Sequence, residues 1–577
     1  MTTFHSRSAL KDVLAQADAR AVVQQIAPEV LVSSLATSGD PFPLARVLGF
    51  ILEPSDPRVG ELLGRLTEIE DLTPRAPEAP AIVPAADYES ADIEPASAAV
   101  TLPAEAFANR MLEIAFAGPS HGNPFTDVDL TARFSRGDQH VDVGGFYDGD
   151  GRYAVRFLPG GAGTWEFVTS SNARSLDGLS GVVEVAPSDA RGPVHADGSH
   201  FSFADGTPFT PLGTTAYAWT HQDDELQQQT LDALATTSFS KLRMGLFPKH
   251  YLYNANEPDR FVFPRTDDGW DLERFDLDYF RTLERRLDQL AELGIEADLI
   301  LFHPYDRWGF SHLGKAADDR YVTYVVRRLS ALPNVWWSLA NEYDLLLDKN
   351  PEDWDRIGKL VRANDPYDHP LSIHNWVDLW DYASDWATHC SIQYGEGLGG
   401  KVREWRLQFG KPVIIDECGY EGNLDQGWGC LTPQELTSRA WAVSMSGGYV
   451  THGETYYSAD DTVFWAKGGM LRGESPARLA FLRRIIEESP TGRIDPLPSD
   501  WDAAHAGVRG EYQLISFGAG QPAFRTVKIP EGMTAHIDVI DTWNMTVERL
   551  PGEHHGDVRV DLPGRPYCAV RLVTVGR

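Results

Sequence analysis

Between residues 191 and about 490 the sequence alternates short apolar runs with longer segments that repeat apolar residues every three or four positions, and few folds accept that order. The segment "DYFRTLERRLDQLAELGI" sets Phe280, Leu283, Leu287, Leu290 and Leu293 on one helical face, and the run "EADLILFH" follows at once. Seven more runs have strand character: "FTPLGTTAYAW", "SFSKLRMGLF", "NVWWSLAN", "HPLSIHNW", "HCSIQY", "KPVIIDECG" and "GGYVTHGET". Eight strands alternating with helices predict a (β/α)8 TIM barrel over residues 191–492.

The rest of the chain has other textures. At 577 residues it is too long for one hydrophobic core. Residues 1–72 carry "ALKDVLAQA", "PLARVLGFIL" and "RVGELLGRLTEIE", which predict a small helical module suited to subunit association and hence a homo-oligomer. Residues 73–102 are rich in Pro and Ala and predict a linker or strap. Residues 103–190 hold short runs such as "RMLEIAFAG", "RYAVRFLPG" and "GTWEFVTSS", each closed by Gly, Asn or Asp, as in a β-sandwich. The tail, 493–577, returns to short strands and predicts a second, smaller β-domain. The fold class expected is multidomain α/β, a barrel with flanking β-sandwich domains.

Composition excludes several functions. A net charge of −33 is wrong for a polyanion partner, so nucleic acid and anionic membrane are not expected. No run of 18 apolar residues occurs, and the first twenty residues lack a secretory h-region, which predicts a cytoplasmic protein. Cys390, Cys418, Cys430 and Cys568 have no CxxC spacing and are expected as free thiols. HExxH spacing, a phosphate loop and a G-x-S-x-G elbow are all missing, so neither a metal, a cofactor nor a serine nucleophile is expected.

In a barrel of this type the chemistry sits where strands end at their C-terminal edge. The fourth run stops at Asn341-Glu342 and the seventh at Asp416-Glu417. Two carboxyls facing each other across a barrel mouth suit glycosidic hydrolysis, in which one protonates the leaving oxygen and the other attacks the sugar or activates water. The proton donor keeps its proton near neutral pH when an apolar wall and a second carboxylate raise its pKa. Side-chain alternation sends Asp416 and Glu417 to opposite sides, and Glu417 is the expected nucleophile.

The "NE" and "DE" strand ends resemble the retaining glycoside hydrolases of clan A. More closely, "PLGTTAYAWTHQ", "FSKLRMGLFPKHYLYN", "LILFHPYDRWGF" and "WWSLANEYDLL" resemble glycoside hydrolases of the apiosidase-like group, which place a β-sandwich before the barrel and a small β-domain after it. The resemblance spans residues 100 to 577 and leaves out the N-terminal helices. It implies Glu342 as acid/base, Glu417 as nucleophile and Asn341 as a partner for a sugar hydroxyl.

Further substrate contacts are expected from the other strand ends. Arg243 is either a ligand of the nucleophile or half of a buried ion pair. His303, Tyr305, Asp306 and Trp308 would wall the pocket. Trp219, Trp376, Trp380 and Trp465 are candidate platforms for a sugar face. His374, His452 and Glu454 would hold hydroxyls, and Tyr394 would orient the nucleophile with its phenol. The reading is an exo-type retaining glycoside hydrolase acting on an oligosaccharide or glycoside. A transglycosylase, a furanosidase for apiosyl or arabinofuranosyl units, and an inert carbohydrate-binding barrel are the alternatives.

Overall fold

The computed structural model describes residues 3–37, 42–53, 55–73, 81–460, 462–498 and 500–576. Most of the expected strap is therefore described, and its stretch 74–80 lies outside the described residues. Short helices at Leu10–Ala15, Ala17–Ile26, Leu44–Ile51 and Pro57–Leu66 form the N-terminal module around Leu10, Val23, Leu48, Leu62 and Leu66, all buried. Two four-stranded antiparallel sheets follow between residues 99 and 185 and share one core, with Phe134 stacked on Phe157 at 4.0 Å. A six-stranded sheet and a two-stranded pair close the chain around Ile515, Val527, Ile537, Val560 and Val570.

Eight of the parallel strands described in the middle of the chain follow one another around a centre: β1 (Gly213–Thr215), β2 (Lys241–Gly245), β3 (Glu296–Phe302), β4 (Val335–Ala340), β5 (Leu371–Ser372), β6 (Cys390–Gln393), β7 (Val413–Glu417) and β8 (Tyr449–Val450). The first five form one sheet in chain order and the last three another. Single parallel bridges join their edges, His374 to Ser391 and Gly213 to Thr451. Helices pack outside, at Asp224–Ala235, Leu277–Glu292, Lys315–Leu329, Pro351–Asn364, Leu398–Phe409, Pro433–Ser444 and Ser475–Glu487. The connection from β5 to β6 holds no helix, a departure from strict βα alternation. Several strands are much shorter than the apolar runs that announce them, because those runs extend into buried loops. In the helix at Leu277–Glu292, Phe280, Leu283, Leu287 and Leu290 are buried as the periodicity predicts, while Leu293 falls at the C-cap and is exposed.

Alternation along β4 separates its two tryptophans. Trp336 turns inward, its indole donating to Glu296 at 3.1 Å, whereas Trp337 turns toward the helices and donates to Asp365 at 3.0 Å. The interior between the strands is polar and paired. Lys241 Nζ lies 2.7 Å from both Asp298 and Asp416, and Arg243 lies 3.4 Å from Asp298 and 3.6 Å from Asp416. Ser391 and Thr451 donate to Asp416 at 2.5 and 2.6 Å. Burial alone would raise the Asp416 carboxyl, but Lys241 and Arg243 outweigh it and hold it far below the usual carboxylate range.

All four cysteines are free thiols, and no helix among the described residues is long and apolar enough to cross a membrane. Removing one member of a buried charge network strands the others. Lys241→Met is therefore expected to cost about 3–5 kcal/mol of stability, read as a lower denaturant midpoint at an unchanged slope; a loss below about 1 kcal/mol would remove the cluster from any structural role.

Candidate active site

The strand ends converge above this charge cluster. Asn341 follows β4, and its main-chain N–H donates to Phe302 O at 2.9 Å, which ties the end of β4 to β3. Glu342 comes next in a left-handed conformation, φ 52° and ψ 56°, unusual for a residue with a side chain and held by flanking hydrogen bonds: Tyr343 N–H to His374 O and Leu345 N–H to Glu342 O, both 2.9 Å. At the far side, the register between β6 and β7 shifts at Ile392 and Gln393, so that Gln393 pairs with Glu417. The shift re-aims one side chain. Asp416 enters the charge cluster while Glu417 reaches the space above it.

Four groups hold the two glutamates. Tyr305 donates its phenol to Glu342 Oε2, and Asn341 Nδ2 donates to the same oxygen at 3.2 Å. Tyr217, just beyond β1, donates to Glu417 Oε1 and lies 3.1 Å from Asn341 Oδ1. Arg243 Nη2 donates to that Asn341 oxygen at 2.8 Å, which fixes the amide so that its nitrogen faces Glu342. Gln393, with its amide nitrogen turned toward the pair, donates to Glu342 Oε1 and Glu417 Oε2 at 3.2 Å each. Those two oxygens are therefore no farther apart than twice that distance.

The electrostatics of the pair are unequal. Burial, reinforced by the neighbouring charge of Glu417, raises the Glu342 pKa to about 8 despite the Tyr305 hydrogen bond and the charge of Lys249. Lys249 Nζ sits against the faces of Tyr217, Tyr305 and Trp465, at 3.8, 4.4 and 4.4 Å from the ring centres. His374, with Nε2 3.9 Å from Glu417 Oε1, is driven well below the ordinary histidine range by burial and then by Arg243, so it is neutral. His303 is likewise neutral, lowered to about 4 by burial and then Lys249, and its Nε2 lies 3.2 Å from Phe247 O.

Of the residues expected from the sequence, Glu342, Glu417, Asn341, Arg243, Tyr305 and His374 lie at this centre, with His303 and Trp465 at its edge beside Lys249. The others go elsewhere. Trp219 is a core residue, fully buried with its indole on the Met244 sulfur at 3.3 Å, so it offers no platform. Trp376 packs on Phe42 and Phe50 of the N-terminal module, and Trp380 packs between Tyr343 and Trp386. Asp306 caps its own turn by accepting from Trp308 and Ser311 main-chain N–H groups, and Trp308 packs on Phe261 while donating to Glu257. His452 bonds Thr214 at 2.9 Å and stacks on Phe239.

Glu454 is a main-chain clamp. It accepts from the N–H groups of Arg472 and Gly473 at 2.6 and 2.8 Å, and burial still raises its pKa to about 7. Tyr394 contributes its main-chain N–H to Glu417 O at 2.9 Å while its ring stands edge-on to Trp405, so the phenol that reaches Glu417 is that of Tyr217. Arg243 touches Asn341 and the acids below, and no hydrogen bond from it to Glu417 occurs among the described residues. Sequence reasoning missed Tyr217, Gln393 and Lys249. The first two obey the same strand-end rule that picks out Glu342; Lys249 lies in the loop after β2 and has no periodic signal. No group of three His, Cys, Asp or Glu placed to hold a metal occurs among the described residues.

Residues 195–469 match the family described as apiosidase-like, catalytic domain. A crystal structure from Bacteroides vulgatus, described as a putative glycoside hydrolase, is 39% identical, covers 82% of this chain and 100% of its own, and superposes with a TM-score of 0.77. The chain belongs to the apiosidase-like glycoside hydrolases. A glycoside hydrolase of family 5 from the same organism shares the fold at 15% identity, covering 66% of this chain and 94% of its own with a TM-score of 0.53. Residues 107–172 and 501–573 match two domains of unknown function, DUF5060 and DUF5605. No curated protein matches.

In this glycoside hydrolase the raised Glu342 pKa has a thermodynamic consequence. The unfolded chain releases that proton near the ordinary value of 4.5 and the folded protein only near 8. Folding is therefore penalised progressively as pH rises through that window, and fully above it. Glu342→Gln is expected to raise Tm at pH 9 and to leave it nearly unchanged at pH 4.5; an equal gain at both values would contradict the raised pKa.

Proposed function

We propose that the enzyme hydrolyses a short oligosaccharide or glycoside with retention of configuration, by double displacement. The observation that supports this reading is that the Gln393 amide lies 3.2 Å from both Glu342 Oε1 and Glu417 Oε2, so the two carboxyls face one space above the strand ends. Retaining enzymes hold their carboxyls about 5–5.5 Å apart, and inverting enzymes leave about 6.5–9.5 Å for a water. Glu342, with its pKa near 8, carries the proton at neutral pH and gives it to the leaving oxygen. Glu417 receives the phenol of Tyr217 and attacks the anomeric carbon, forming an ester. Glu342, now a carboxylate, takes a proton from the water that cleaves the ester.

The reading includes a closed (β/α)8 barrel, supported by the two bridges that join the sheet edges. It also includes an exo-type pocket, because loops crowd one side of the mouth. Tyr251 of the loop after β2 packs on Tyr305 at 4.6 Å, and Tyr253 meets Tyr457 of the loop after β8 at 5.9 Å. Of these rings, Tyr251, Tyr253 and Tyr457 are not fully buried and offer apolar surface to a sugar ring.

The stereochemical test is proton NMR of the anomer first released from a 4-nitrophenyl glycoside found active in a pyranoside and furanoside panel. Retention is expected, and first release of the opposite anomer would overturn the mechanism. A second expectation concerns Tyr305, whose hydrogen bond favours the charged form of Glu342. Tyr305→Phe should move the alkaline limb of the kcat/KM profile upward from about pH 8 and lower kcat by about tenfold, the equivalent of one hydrogen bond to a charged group. An alkaline limb that stays in place or moves down would separate Glu342 from that limb.

A further inference from the structure

The matched family domains begin at residue 107, yet the helices ahead of them pack against the loops that carry the chemistry. Leu345, three residues beyond Glu342, is buried at 1% exposure in the core of the N-terminal module, among Leu10, Leu44, Leu48 and their neighbours. Arg7 Nη2 donates to Lys349 O in the same loop at 3.1 Å. The loop after β5 is held from the same side, with Trp376 against Phe42 at 5.2 Å and Arg46 paired to Asp378. Asp344 ties the two loops together by accepting from the main-chain N–H groups of Trp376, Val377 and Asp378 at 2.6, 2.8 and 2.8 Å.

We propose that the N-terminal helical module is part of the catalytic apparatus: by taking Leu345 into its own core it fixes the loop that holds Glu342 in place. The physical need is visible in Glu342 itself. A left-handed backbone at a residue with a side chain persists only where its surroundings over-determine it. Upstream it is pinned by β4; downstream the chain turns once, through Tyr343 to Leu345, and enters the module. Leu345 thus acts as a positioning residue, touching no substrate, and the module supplies a socket for it. The proposal rests on the reading of Glu342 as the acid.

The test uses the full chain. Leu345→Ala empties the socket, Leu345→Met refills it, and Leu62→Ala removes a module core side chain on another helix as a control for stability loss alone. Glu342 is followed without substrate, by infrared titration of its protonated carboxyl band, identified by its loss in Glu342→Gln. Turnover is followed with the active 4-nitrophenyl glycoside. Leu345→Ala is expected to move the midpoint of that band down by at least one pH unit and to lower kcat at least tenfold with KM within twofold. Leu345→Met should restore both, and Leu62→Ala should leave both near wild type. If Leu345→Ala does not fold, the surface pair Arg7→Ala with Arg46→Ala, which removes the polar tie of each loop to the module, is expected to shift the band in the same direction. An unmoved band and native kcat in whichever of these folds would overturn the proposal. Glu342→Gln with native turnover would instead overturn the acid assignment.

Discussion

The site depends on a lysine and an arginine buried between strands with two aspartates. Lys241 and Arg243 would be intolerable in that interior alone, as would Asp298 and Asp416; together they are mutually compensated. The same arginine reaches one step higher, to Asn341, and Asn341 reaches Glu342. The orientation of Glu342 is thus tied to the charge balance of the core through the Asn341 amide. A neutral core of equal volume could support the strands and would remove the charged donor that holds the Asn341 oxygen.

Above that floor the two carboxyls differ by environment alone. Glu342 is deeply buried, receives Tyr305 and Asn341 on one oxygen, and holds its proton near neutral pH. Glu417 is met by Tyr217 and shares Gln393 with its partner. In the proposed mechanism two identical side chains thereby take different roles, their surroundings assigning acid and nucleophile. Lys249, seated on the rings of both phenols, places a positive charge beside the pair.

Much of this was legible in the sequence, where apolar runs stop at polar residues. Glu342, Glu417, Asn341, Tyr305 and His374 follow from reading the ends of strands, and Arg243 from within β2. The errors have physical sources. Counting strand ends from apolar runs overshoots where the run continues into a buried loop, which is how Trp219 and His452 entered as contacts although both are core. Along β6 plain alternation turns Ser391 and Gln393 inward and leaves the Tyr394 ring outside against Trp405, so counting to the end of the apolar run overshoots by one. Glu454 looks like a site acid because the pattern cannot register a carboxylate spent on main-chain N–H groups eighteen and nineteen residues away. The N-terminal module was legible as helices, and its contact with Leu345 was not, because nothing local in either segment encodes the pairing.

The account stands most directly on Glu417 bonding to the sugar while Glu342 serves as acid. The decisive measurement is mass spectrometry of peptides after incubation with a 2-deoxy-2-fluoro glycosyl fluoride of the sugar the enzyme accepts, which slows release of a glycosyl ester. The account predicts one added fluorosugar on the peptide carrying Glu417, retained in Glu342→Gln because fluoride needs no proton donor to leave. Labelling of Asp416 or Glu342 in place of Glu417, or turnover of the reagent with no ester formed, would contradict it.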